Sequence, residues 1–302
     1  MQNAKFKMQM RRARQAFPFC ILHFESCITR VCVAGLLILC LTTAAAAQFG
    51  RFGGFGFRSR YPLRPPHKDT FGSGFNFCRG IYTSTRSEPG GQGWSTDYWD
   101  AELNFSIRLA ELTKIRVKFN GDRMPDFVTV RLTEDALFQC PYLHMEDVGT
   151  MRLSESEVEA LRTYLLKGGF LWVDDFWGSL AWEQWTAEIA RVLPPDQYPI
   201  QDIQPGHPIY KSQFEIKEFP QIPSIQAWRG NPYTTSERGE DSATPEFKAI
   251  SDSHGRIMVV MTHNTDISDA WEREGEDPRY FYSFSPKGYA VGINVMIYAM
   301  TH

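Results

Sequence analysis

Apolar and polar positions along this chain fall into two periods, separated by stretches that follow neither. Residues 75–83 (FNFCRGIYT) read as a first strand. Residues 101–112 place apolar side chains at 101, 105, 109 and 112, the spacing of one buried helical face. Residues 128–132 (VTVRL) alternate as a strand, 135–138 form a short helical turn, and 142–145 make another strand. Ser154 and Glu157 then fit a capping box, which opens a helix through Val158, Leu161, Tyr164 and Leu165. Gly168-Gly169 closes that helix. Residues 170–173 (FLWV) are apolar on both faces, as a central parallel strand covered by helices must be. After the turn Asp174-Asp175-Phe176-Trp177-Gly178, a helix spans 180–192 and stops at Pro194-Pro195. Residues 247–250 and 257–262 read as a strand pair about a turn at 253–255. Ser285-Pro286 is a cap with proline at the first helical position, so a largely apolar closing helix is expected over 289–300. Helix, buried strand, turn and helix in succession predict an α/β chain with a mostly parallel, doubly wound sheet.

The first part of the chain lacks this grammar. Lys5, Lys7, Arg11, Arg12 and Arg14 precede an apolar run at 31–41 and a small-residue stretch, TTAAAAQ. Those are the three parts of a secretory signal peptide, cut after Ala47. The alternative is an uncleaved anchor, against which the shortness of the run argues. Residues 48–70 are rich in Phe, Gly and Arg and read as a flexible leader. Residues 71–302 form the domain, with a Pro- and Gly-rich insertion at about 203–243. The protein is therefore expected outside the cytoplasm, periplasmic or extracellular, touching membrane only through the signal segment if it is not removed.

Charge and cysteine content change with that cut. Residues 1–47 hold six of the 32 Lys/Arg and one of the 35 Asp/Glu, so 26 and 34 remain, a net of −8. An acidic domain argues against nucleic acid as a partner. Of six cysteines only Cys78 and Cys140 remain. They either pair, as an oxidising compartment favours, or stay as two buried thiols; sequence leaves both open.

The strings LRTYLLKGGFLWVDDFWG, HPIY, NTDISDAWE and GYAVGINVMIYAMTH resemble, in order, the bacterial family called domain of unknown function 4159. YWDAELNFSIRLAELTKI and LFQCPYLHME resemble its earlier blocks, so the likeness covers about 75–302. The resemblance implies a flavodoxin-like three-layer sandwich similar to class I glutamine amidotransferases and trehalose-utilisation-type proteins, and implies no reaction. In an amidotransferase the nucleophilic Cys sits on the turn after a central strand. The matching turn, 174–178, holds neither Cys nor Ser, so thiol glutaminase chemistry is absent there.

Ligands of open α/β sheets bind beyond the C-terminal ends of the strands. Asp174 and Asp175 stand there, as metal ligands or a general base, or else as a helix cap and a structural hydrogen-bond acceptor. Asp266 and Asp269, in NTDISD after the strand 257–262, either join them or make a polar turn. Oxygen-only donors suit Ca²⁺ or Mg²⁺. His207 is a further acid/base candidate; no HExxH accompanies it, which argues against zinc. Trp177 and Trp271 lie near the acid pairs, and Asp97 near Trp94 and Trp99. Aromatic rings beside carboxylates hold sugars; packing in a core is the other reading. Arg108 and Asn294 are candidates to pair an acid. The expectation is one acidic, aromatic cleft binding a small molecule, carbohydrate or cell-envelope fragment. The alternatives are a metal-assisted hydrolase using Asp174 or Asp175, or a non-catalytic partner of an envelope protein.

Overall fold

The computed structural model describes residues 62–72 and 74–302. The expected signal peptide (1–47) and the leader as far as residue 61 lie outside them. Residues 62–70, expected within the leader, lie against an edge of the sheet. The Arg64 amide donates to Thr129 Oγ1 (3.0 Å) and its guanidinium covers the Phe127 ring at 4.2 Å.

The main sheet has seven strands. They are β1 (Phe77–Ile81), β3 (Phe127–Arg131), β4 (Leu143–Glu146), β6 (Leu171–Phe176), β7 (Ile200–Asp202), β8 (Glu246–Ser251) and β9 (Ile257–His263). Their order is β3-β1-β4-β6-β9-β8-β7. The first five are parallel; at one end β8 runs antiparallel to β9, and β7, antiparallel to β8, again follows the direction of the five. The apolar run at 170–173 thus lies inside the sheet, with a parallel neighbour on each side. Two short strands, β2 (Thr83–Ser84) and β5 (Met151–Arg152), pair separately.

Side chains alternate across β6 as the pleat requires. Trp172 enters one core with Phe77, Val260, Phe105, Leu109 and Trp271. Those residues bring α1 (Asp100–Leu112), α5 (Asp269–Glu272) and α6 (Pro278–Thr301) onto that face. Leu171 and Val173 enter the other core, under α2 (Glu155–Leu166) and α3 (Gly178–Val192). The capping box of α2 is formed: Ser154 Oγ accepts from the Glu157 amide at 3.3 Å, and Glu157 Oε2 accepts from the Ser154 amide at 2.8 Å. Gly168, at φ +106°, supplies the left-handed exit. Cys78 and Cys140 form a disulfide between β1 and the segment entering β4, in the second core.

One boundary needs correction. The last helix begins at Pro278, capped by Asp277, whose side chain accepts from the Arg279 amide at 2.8 Å. Pro286 lies inside it. Pro278 is the proline that fills the first-turn position. No helix among the described residues is long and apolar enough to cross a membrane.

The insertion leaves β7 and re-enters β8. Asp202 pairs with Lys248, and Glu246 with His263 at the end of β9. Both ends of the insertion therefore sit at the C-terminal edge of the parallel strands, and α4 (Ile225–Gly230) lies within it.

Candidate functional site

The backbone is unusual along that edge. Between β6 and β9, Val173 pairs with Met261 and Phe176 with His263, so Asp174 and Asp175 together oppose Thr262 alone. This is a β-bulge, a device that re-aims side chains beside sites. Asp175 takes φ 50°, and Asp147 after β4 and Asn264 after β9 take 49° and 59°. Asp97, ahead of α1, takes 59°. Left-handed non-glycine residues store strain, and here four Asx residues carry it around one edge.

The bulge separates the two acids of the pair. Asp174 is buried and engaged at both oxygens: Oδ1 lies 2.5 Å from Thr262 Oγ1, and Oδ2 accepts from the Ser268 amide at 2.9 Å. Asp175 is half-buried, and its Oδ1 accepts from the Trp177 indole at 2.8 Å. Burial holds both carboxyls well above the usual range, reinforced by Glu146 for Asp174 and by Glu237 for Asp175.

Asp97, Asp266 and Asp269 converge from three places in the chain. Each is buried, and each offers a carboxylate oxygen within 4.8 Å of the others. Asp266 Oδ1 accepts from the Asp269 amide at 2.8 Å. Asp269 Oδ2 accepts from the Ile225 amide (2.7 Å) and the Tyr280 hydroxyl (3.0 Å). Asp97 Oδ2 meets no N–H or hydroxyl donor among the described residues, and the Asp97 side chain has the Glu272 carboxyl within hydrogen-bond reach. Burial raises Asp97 and Asp266 well above the carboxylate range, with Glu272 the largest charge on Asp97 and Asp175 the largest on Asp266. Burial pushes Asp269 up to about 6, and burial together with Asp269 pushes Glu272 up to about 8. Against these acids stands Arg273, whose Nε is 3.5 Å from Asp269 and 2.7 Å from Glu272.

A second cluster lies beneath. His144 Nε2 contacts Glu146 Oε1 and lies 3.1 Å from Ser268 Oγ; the Tyr142 hydroxyl is 3.1 Å from Nδ1. Arg79 donates to Glu102 Oε1 at 2.5 Å and approaches Glu146 Oε1 at 3.4 Å. Burial pushes Glu146 up, but His144 and Arg79 outweigh it and hold the carboxyl below its usual range.

Two segments cover the acids. From the insertion, the Ile222 carbonyl accepts the Asp266 amide (2.8 Å) and Glu237 Oε1 accepts the Ser224 amide (2.7 Å). From the loop before α1, the Gly93 amide donates to Asp147 Oδ2 at 2.8 Å. Gly91 packs on the same carboxylate so closely that a Cβ there would come within 2.4 Å. Arg238 of the insertion donates to the Pro89 carbonyl of that loop at 3.0 Å.

Several sequence candidates lie elsewhere. Trp271 forms no cleft wall: it is fully buried, 4.5 Å from the Phe105 ring. Trp177 is also buried, and its indole serves Asp175. Arg108 pairs with Glu274 and Glu111, and with none of the clustered acids. Asn294 accepts from the Gln213 and Phe214 amides and donates to the Phe214 carbonyl, which fastens the insertion to α6. His207 caps a short helical turn and packs on Tyr298. Tyr280, which holds Asp269, lies 18 residues earlier in α6, about 27 Å along its axis, so His207 and the acids occupy opposite ends. Sequence reading passed over Arg79, Glu102, His144, Glu146, Asp147, Glu237 and Glu272. The one available signal was polar residues at 144 and 146 in an otherwise buried strand.

The fold is a mostly parallel α/β sheet with strained Asx residues and buried carboxylates at its C-terminal edge. The family model for Domain of unknown function (DUF4159) matches residues 82–300, and the chain belongs to that family. No curated protein matches the chain.

Proposed function

We propose that this chain is an exported ligand-binding domain of flavodoxin-like, amidotransferase-like build, and that its ligand docks over Asp175. The five parallel strands, numbered among themselves in chain order, run 2-1-3-4-5, the flavodoxin order, with helices on both faces. A buried disulfide is in keeping with an oxidising compartment outside the cytoplasm, and so is the signal-type sequence at 1–47.

One observation carries the docking site. Asp175 lies near the end of β6, just before the turn where amidotransferases place their thiol, stands at positive φ on a bulge, and is half-buried where Asp97, Asp174, Asp266 and Asp269 are buried. A carboxyl accepts hydrogen bonds when ionised and both gives and accepts them when protonated, so a ligand rich in hydroxyls fits either form, namely a carbohydrate or cell-envelope fragment. A carboxyl held above its usual range is also what a general base requires, which is the hydrolytic reading of the same residue.

Calorimetry with soluble peptidoglycan fragments and chito-oligosaccharides tests the proposal. Saturable binding that Asp175→Asn weakens at least tenfold supports it. Turnover of the same fragments, lost in that variant, favours the hydrolytic reading. Absence of binding across both sets overturns it.

A further inference from the structure

We propose that Asp97, Asp266 and Asp269 form a binding site for a single hard divalent cation of Ca²⁺ size. The inference rests on reading the sheet edge as a ligand site, and it specifies what completes that edge.

The donor set comes first. Three carboxylates and no thiolate or imidazole select hard cations over zinc or copper. Their spacing comes next. Ca²⁺ binds oxygen at 2.3–2.6 Å, so oxygens on opposite sides of the ion stand about 4.6–5.2 Å apart. Mg²⁺, at 2.0–2.1 Å, requires about 4.1 Å. One oxygen of each carboxylate lies within 4.8 Å of the others, which brings all three within reach of one ion; the preference for Ca²⁺ comes from its tolerance of irregular all-protein oxygen sets, where Mg²⁺ keeps near-octahedral geometry and several waters.

An independent observation points the same way. Asp97 is 8% exposed, its carboxylate belongs to the cluster, and its Oδ2 meets no N–H or hydroxyl donor among the described residues, its near neighbour Glu272 being another carboxyl. A buried carboxylate oxygen without a donor is expensive to maintain, and a coordinated ion removes that expense. The neighbouring contacts orient ligands and leave lone pairs free: the Ile225 amide and Tyr280 hydroxyl fix Asp269, and the Asp269 amide fixes Asp266. A carboxylate offers about four lone-pair positions, so one or two donors do not saturate it.

The adjacent His144, Glu146 and Asp174 group also gathers metal-type donors within 4.8 Å, yet it does not serve. Arg79, fully buried, sits 3.4 Å from Glu146 Oε1 and donates to Glu102, and both Asp174 oxygens are engaged; the half-buried Arg273 reaches only Asp269 of the three aspartates, at 3.5 Å, with no ion pair to Asp97 or Asp266 among the described residues.

The test uses the whole exported chain, stripped with EDTA, at constant ionic strength. CaCl₂ should raise the melting temperature saturably, by mass action on the folded state, and titrate one to one by calorimetry. MgCl₂ should bind at least tenfold more weakly. Tb³⁺, a Ca²⁺ mimic, should luminesce on tryptophan excitation, since Trp271 follows Asp269 by two residues. Asp97→Asn and Asp266→Asn should each lose more than the roughly 10–100-fold in affinity that outlying partners of a metal site contribute. Both variants should stay folded in EDTA, because each removes a charge from a crowded acid group. A Ca²⁺ response equal to that of KCl, or one retained in both variants, overturns the proposal. Ca²⁺ binding without fragment binding keeps this site and discards the docking proposal; fragment binding unaffected by EDTA and unaccompanied by Ca²⁺ binding does the reverse.

Discussion

Two buried polar groups share the C-terminal edge of this sheet. The Arg79 group contains Glu102, Glu146 and His144, and its guanidinium touches both glutamates. The Asp97 group contains Asp266, Asp269 and Glu272, and its guanidinium, Arg273, comes from the half-buried rim. The first holds Glu146 below its usual range while burial keeps Glu102 above its own; the second raises every carboxyl it contains. Residue types are alike, so the difference lies in where the positive charge stands. A group closed by its own cation is a structural joint. A group left in charge deficit is stable only when protonated or when something arrives from outside.

The largest effect should come from opening the closed group. Arg79→Met leaves Glu102 and Glu146 buried without a cation, and denaturant unfolding should register a loss of about 3–5 kcal/mol. That loss should be the same in EDTA and in Ca²⁺. A loss below about 1 kcal/mol breaks the comparison.

Acid and base should then act oppositely on the two groups. A raised carboxyl contributes stability that is fully present below its unfolded value, near pH 4, and that fades as pH rises through its folded value. The folded values are about 6 for Asp269, about 7 for Asp147, where burial and Glu88 act, and about 8 for Glu272. In EDTA, stability attributable to these groups should fall by several kcal/mol between pH 5 and 8, at about 1.4 kcal/mol for each pH unit by which a group's folded value exceeds pH 5. Saturating Ca²⁺ should flatten that fall. Glu146 has the contrary sign: its contribution is present above about pH 4.5 and is lost as pH drops through its depressed folded value. Thermal scans over pH, repeated on Asp147→Asn, separate these contributions.

A smaller effect sharpens the contrast. Asp266→Asn should raise stability in EDTA by about 1 kcal/mol, because it removes one of several mutually repelling charges. The smallest should be Arg108→Ala. Its partners Glu111 and Glu274 lie on a partly exposed surface, so the change should stay within about 0.5 kcal/mol and leave Ca²⁺ affinity untouched.

The sheet was largely legible because its signals are local. Ser154 and Glu157 announce α2, and the run at 170–173 announces a central strand whatever its partners. The acid turns were legible too, since Asp266, Asp269 and Asp97 follow or precede periodic segments. The fates of Asp174 and Asp175 were not. Strict alternation puts them on opposite faces, and only pairing with β9 introduces the bulge that decides which one is buried. Arg79, His144 and Glu146 escaped notice because a buried ion network is defined by long-range contact, and each residue alone reads as an interruption in an apolar strand. Arg108 and Asn294 were plausible partners by type; their neighbours Glu274 and Phe214 are set by how α1 and the insertion pack on α6.

Pro286 divides α6 for exchange purposes. Without an amide proton it cannot bond the Tyr282 carbonyl one turn back, so the hydrogen-bond ladder has a seam there. On the early side lies Tyr280, which grips Asp269 and the Pro223 carbonyl; on the late side lie Val291, Ile293 and Met296, locked in the core. The first two turns can therefore unzip while the rest stays protected. Amides of 279–285 should exchange with deuterium as one fast cooperative unit, ahead of 290–297. Such an excursion frees Asp269 from its hydroxyl partner and loosens the Pro223 stretch of the cover in the same event. It gives a sealed acid group a route to the solvent that requires no melting of the sheet.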